Sequence, residues 1–146
     1  MNAVDTNILV YAHREDSPFH RPALDFMLEL AGGSARWAIP WPCVHEFIAI
    51  VTHPRIYDPP SPLDLALAAM NEWMECPMCE MIGEGPGYFA LLQEMASAAK
   101  VSGSMIHDAR IAAICLHNGI GELFSCDRDF SRFSRLKTVN PLQPGA

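Results

Sequence analysis

No run in this sequence approaches the roughly 18 consecutive apolar residues of a membrane-spanning helix, so no helical span is expected. The first residues carry neither the basic start nor the small-residue cleavage site of a signal peptide, which predicts a cytoplasmic protein. Cysteine is too scarce for a disulfide framework. There are five (Cys43, Cys76, Cys79, Cys115 and Cys126), an odd number, and three lie in apolar surroundings, as reduced thiols do. Cys76-Pro-Met-Cys79 has redox or zinc spacing, but it supplies two of four zinc ligands and follows a helical pattern instead of opening one. Cations are few as well. Ten Lys and Arg stand against 17 Asp and Glu, a net charge of −7, which weighs against nucleic-acid binding because phosphate contacts require cations.

What is present is an ordinary globular composition, half apolar and 18% charged, over 146 residues, a length that suits one domain with a real core. No internal repeat, low-complexity segment or linker interrupts it. The sparse cations are also uneven: Arg128, Arg132, Arg135 and Lys137 fall within ten residues, as candidate phosphate contacts or as a solvated basic face.

Strand and helix patterns alternate. Strands are expected at Met1–Asp5, Arg36–Ile39, Cys79–Ile82, Leu123–Cys126 and Thr138–Val139. Helices are expected at Arg21–Leu30, Pro42–Thr52, Leu63–Met74, Tyr88–Ala99 and Ile106–His117, with Pro54–Pro62 an ordered turn between two of them. This alternation predicts an α/β domain with a mainly parallel sheet of four to five strands and helices on both faces. Ligands of such sheets bind beyond the carboxyl ends of the strands. Asp5 and Asp127 both fall at that edge.

Four acids stand where apolar residues are expected. Asp5 ends the first strand. Glu46 lies in "IPWPCVHEFIAIV", a helix apolar almost all round and so expected to be buried, on one stripe with Cys43, Ala49 and Ile50. Asp108 shares a stripe with Ile111, Ala112 and Cys115, with His107 and Arg110 on other faces. Asp127 and Asp129 follow a strand in "FSCDRDF". Each acid alone also fits a plainer role: a carboxylate protruding at a helix end, a helix-dipole partner, an Asx turn. Together they need cations, because neighbouring carboxylates raise one another's pKa. Mg²⁺ or Mn²⁺ suits an all-oxygen set; zinc does not.

The chain resembles the PIN-domain nucleases, most closely the VapC-type toxins of bacterial toxin–antitoxin pairs. The resemblance rests on "VDTNILVYA", Glu46, "IHDARIAA" and "LFSCDRDFSRF…LKTVNPL", in that order, with "HPRIYDPP" between two helices. It implies one PIN-like three-layer α/β/α nuclease domain over residues 1–146. It implies an acidic Mg²⁺ or Mn²⁺ site of Asp5, Glu46, Asp108 and Asp127, oriented by Thr6, Asn7 and Ser125, with Asp129 accessory. The implied activity is metal-dependent endoribonuclease cleavage, of tRNA or rRNA, in a toxin held by a cognate VapB-type antitoxin. Homodimerisation is also implied, with the Met-rich segment Met70–Met81 serving contacts or the core. A solitary RNA-processing nuclease and a non-catalytic PIN-like binding module are the alternatives.

Overall fold

The computed structural model describes residues 1–142. Five strands, β1 (Asn2–Val4), β2 (Trp37–Pro40), β3 (Cys79–Ile82), β4 (Glu122–Phe124) and β5 (Lys137–Val139), form one sheet in the order β3-β2-β1-β4-β5. Every neighbouring pair is parallel, with Ala3 opposite both Ala38 and Leu123. Parallel strands covered on both faces read as continuous apolar runs. Thus all four residues of β2, Trp-Ala-Ile-Pro, are buried, as are Ala3, Val4 and Leu123.

Six helices make the crossovers: α1 (Thr6–His13), α2 (His20–Gly32), α3 (Trp41–Val51), α4 (Leu63–Met74), α5 (Tyr88–Ala98) and α6 (Ile106–His117). α1 packs on α2 and α3, α3 on α4, and α5 on α6. With right-handed connections, α1–α4 cover one face and α5–α6 the other. This is the expected three-layer architecture. Local chemistry sets the boundaries. Pro40 ends β2 in extended backbone and leads into α3, whose first turn holds Pro42. Past the end of α6, Gly119 takes φ +71°, and the next amide, Ile120 N–H, reaches back to Cys115 O at 2.9 Å.

Two expectations change. Thr6 and Asn7 form the first turn of α1, a helix the sequence reading leaves unassigned. The apolar run Ile8–Tyr11, with β-branched Ile8 and Val10 and aromatic Tyr11, reads equally as strand, and tertiary burial of Ile8, Leu9 and Val10 decides for helix. α3 is not buried all round: Trp41, His45 and Ala49 are exposed along one stripe, so the helix is half-covered by the sheet and α1. The CPMC pair runs into edge strand β3, of which Cys79 is the first residue, with both thiols free and Cys79 pushed up to about 12 by burial, unsuited to redox exchange. In the Met70–Met81 segment, Met70 belongs to the core, and Trp73, Met74, Met78 and Met81 pack against it.

Candidate active site

The strand order reverses direction between β1 and β4: β2 and β3 follow on one side of β1, β4 and β5 on the other. Such a switch point opens a crevice at the carboxyl ends of the strands. β1 ends at Val4, so Asp5 emerges into that crevice, its amide still bonded to Phe124 O at 2.9 Å. β4 ends at Phe124 and delivers Ser125 and Asp127 alongside. α3 contributes Glu46 from its middle and α6 contributes Asp108 from its first turn. The result is a cleft of about 170 Å³ lined by Asp5, Thr6, Asn7, Glu46, Asp108 and Asp127, with Ile50 and Phe130 as apolar walls. The four sequence-predicted acids therefore converge.

Asp5 is the most enclosed of them, 4% exposed. Its Oδ2 accepts the Ser125 hydroxyl at 2.6 Å, and its Oδ1 accepts Thr6 N–H at 2.8 Å and the Cys43 thiol at 3.7 Å. Burial raises its pKa to about 6; the Ser125 and Thr6 bonds oppose the rise, while Glu46 and Asp127 add to it. Asp108 is also raised, by burial first and then by Asp127, Glu46 and Asp129, with Arg132 opposing. Burial leads both shifts, and neighbouring carboxylates add to each.

The neutral side chains position the charged ones. Ser125 Oγ donates to Asp5 and accepts from Asn7 Nδ2 at 3.3 Å and Asp127 N–H at 3.0 Å, so its hydrogen-bonding capacity is filled. Asn7 Oδ1 in turn accepts Cys126 N–H at 3.2 Å, tying α1 to the end of β4. Thr6 Oγ1 donates to Glu46 Oε2 at 3.0 Å, tying α1 to α3. Asp127 Oδ1 accepts Asp129 N–H at 2.8 Å and so starts the 3-10 turn Arg128–Arg132.

Asp129 stands closer to the acids than an accessory role suggests. One carboxylate oxygen from each of Asp108, Asp127 and Asp129 lies within 4.8 Å of the other two, a spacing one ion can bridge. The donor set is all carboxylate oxygen, which fits a hard divalent cation.

The basic cluster is dispersed. Lys137 begins β5 opposite Glu122, the first residue of β4, and pairs with its carboxylate at 3.3 Å. Because the strands are parallel, that is the amino edge of the sheet, away from the acids. Arg135 pairs with Glu94 of α5 at 3.2 Å, and Arg132 caps the Asp129 carbonyl at 3.1 Å. Arg128 alone of the four makes no ion pair among the described residues, and it lines a second hollow beside Asp127. A third cleft, shared through Glu46 and Asp108, holds His45, His107 and Arg110. Sequence reasoning set His107 and Arg110 on faces away from Asp108; at the first turns of α6 those faces converge on the same cleft, and adjacency to the acids was the only available signal.

The PIN domain family model matches residues 3–136. A curated relative, ribonuclease VapC43 of Mycobacterium tuberculosis, is 34% identical over 143 residues, 97% of this chain and 96% of its own length. Ribonuclease VapC48 of the same species is 28% identical over 137 residues, covering 94% of each chain. Among solved structures, VapBC2 from Rickettsia felis, bound to a DNA fragment from its promoter, superposes with a TM-score of 0.69 at 17% identity, over 95% of this chain and 97% of that one. VapC20 of Mycobacterium tuberculosis, described as a Sarcin-Ricin loop cleaving toxin, gives a TM-score of 0.66 at 15% identity, over 90% and 93%. At those identities the structures speak for the fold.

Proposed function

This chain belongs to the PIN-domain family, and from that premise we propose that it is a divalent-metal-dependent endoribonuclease acting as the toxin of a VapBC-type pair. The observation that carries the reading is the convergence of Asp5, Glu46, Asp108 and Asp127 in one cleft at the sheet's switch point. The ribonuclease names of relatives aligned over nearly the whole chain support it.

Asp108 and Asp127, with Asp129 beside them, would hold Mg²⁺ or Mn²⁺, and Asp5 and Glu46 complete the negative wall. When bound, the ion supplies a water of lowered pKa and charge stabilisation for the phosphoryl oxygens. The chain's own groups set the geometry. Ser125 and the Thr6 amide hold Asp5 in one rotamer and favour its ionised form. Thr6 fixes one oxygen of Glu46 and leaves Oε1 directed by the same clamp. Ile50 and Phe130 exclude solvent from one side, which strengthens the local fields. No side-chain nucleophile is required.

A VapB-type antitoxin is the proposed partner, supported by VapBC complexes among the structural neighbours. A homodimer belongs to the same reading. No helix among the described residues is long and apolar enough to cross a membrane.

The test is cleavage of tRNA, rRNA, single-stranded DNA and a small phosphoester, each with Mg²⁺, with Mn²⁺ and with EDTA. Cleavage of RNA alone, dependent on the ion and lost in folded Asp5→Asn and Asp108→Asn, is expected. Full activity in either variant, or in EDTA, defeats the assignment. Growth arrest on expression, relieved by co-expressing a small neighbouring gene, tests the toxin role.

A further inference from the structure

The acid cleft is one of three adjoining hollows. It shares Asp127 with the hollow at the ends of β4 and β5, and Glu46 and Asp108 with the cleft between α3 and α6. The two flanking hollows differ in chemistry. The α3–α6 cleft sets its arginine, Arg110, against Glu84 in an ion pair, so its walls offer an anion two histidines, His45 and His107, but no unpaired arginine. The β4–β5 hollow, about 290 Å³, does offer one.

Beside the Asp127 carboxylate, its walls carry several hydrogen-bond donors. Arg128 and Ser131 are exposed on the 3-10 turn that Asp127 initiates, and Arg128 forms no ion pair among the described residues. Asn140 uses its Oδ1 to accept Leu142 N–H at 2.9 Å and the Cys126 thiol at 3.4 Å, so its amide NH₂ is left as a donor. Thr138 lines the same hollow, and its hydroxyl is buried without a hydrogen-bond partner. Buried hydroxyls are rarely left so, and those that are call for an explanation. One guanidinium, one exposed hydroxyl and an amide, grouped around an open volume beside the acids, match the acceptor-rich surface of a phosphodiester.

We propose that this hollow seats an RNA backbone phosphate adjoining the one cleaved, gripped by Arg128 with Ser131 and Asn140. The inference rests on the ribonuclease reading above and adds to it the side of the cleft along which the strand is held. Arg128 lies beside Asp127 in both chain and space, so a phosphate held there brings the neighbouring linkage to the acids. Of the four clustered cations, Arg128 then touches substrate and Lys137, at the opposite edge, does not.

The experiment separates binding from cleavage. A fluorescein-labelled oligouridylate of about twelve nucleotides is titrated in EDTA, where the metal-dependent reaction is silent, and anisotropy is read at several salt concentrations. Arg128→Ala is expected to weaken binding about tenfold and to lower the slope of log affinity against log salt by about 1. Ser131→Asp, which introduces a carboxylate into the hollow, is expected to weaken it at least as much. Lys137→Ala is expected to change neither affinity nor slope. All three positions are exposed, and matched thermal melts check that folding is unaffected. Wild-type affinity and slope in Arg128→Ala overturn the proposal, as do an equal loss in Lys137→Ala and failure of the wild-type protein to bind. Failure of the ribonuclease reading registers elsewhere, as absent RNA cleavage in Mg²⁺ by a protein that still binds through Arg128.

Discussion

Asp5 makes the site's electrostatics measurable as stability. Its pKa is 3.8 as an ordinary aspartate and about 6 in the folded chain, with burial the main cause. Two pKa units at 1.36 kcal/mol each place the cost of ionising it in the folded state at about 3 kcal/mol. A raised carboxyl pKa means that the folded protein binds the proton more tightly than the unfolded one. The contribution is therefore fully present below pH 3.8 and lost as pH rises through 6. Asp108 is shifted in the same direction. The desolvated His13, shifted down, acts oppositely and destabilises the fold as pH falls.

Comparison with Asp5→Asn isolates the Asp5 contribution, because His13 is common to both proteins. The asparagine keeps an oxygen for Thr6 N–H, but its NH₂ meets a Ser125 Oγ already filled by Asn7 and Asp127, a penalty independent of pH. Urea unfolding in EDTA from pH 4 to pH 7 should show the wild-type stability falling relative to the variant by about 2–3 kcal/mol. Adding Mg²⁺ at about 100 times its dissociation constant should then restore about 2.7 kcal/mol to the wild type, and much less to the variant. A stability difference that stays flat across this pH range, or equal Mg²⁺ stabilisation of both proteins, would refute the picture of a carboxylate cluster short of cations.

Ser125→Ala removes the hydroxyl that donates to Asp5 and accepts from Asn7 and Asp127, so the Mg²⁺ concentration for half-maximal RNA cleavage should rise about 10- to 100-fold; an unchanged metal requirement would show that these bonds do not orient the site. Phe130→Ala opens the apolar wall between the cleft and Phe133, and chemical denaturation should report a loss of about 3–5 kcal/mol for this 1%-exposed ring. Thr6→Val, nearly isosteric, should leave folding intact while releasing Glu46, and a fall in kcat larger than the change in KM is the expected signature.

Which parts of this arrangement were readable in the sequence follows from what each depends on. The strands, five of the helices and the convergence of Asp5 with Asp127 depend on local periodicity and on the rule that parallel sheets work at their carboxyl edge, so a single chain suffices to expect them. Helix α1 was not readable, because "ILVY" carries strand and helix preferences together and only the cover of α2 and α3 decides between them. The basic residues show the same limit in charge. Four cations within ten residues look like one patch, yet a 3-10 turn and a parallel strand separate them. Arg128 is left beside the acids while Lys137 is carried to the far edge against Glu122. Spacing in the chain sets which face of an element a residue occupies; the turn between elements sets which end of the sheet it reaches. Asp5 and Asp127 follow strands whose ends periodicity locates and so could be foreseen, whereas cations distributed across a turn obey the second rule. Under the phosphate seat proposed above, the course of the RNA strand would be set by the connection between β4 and β5, where Arg128 and Lys137 part to opposite edges.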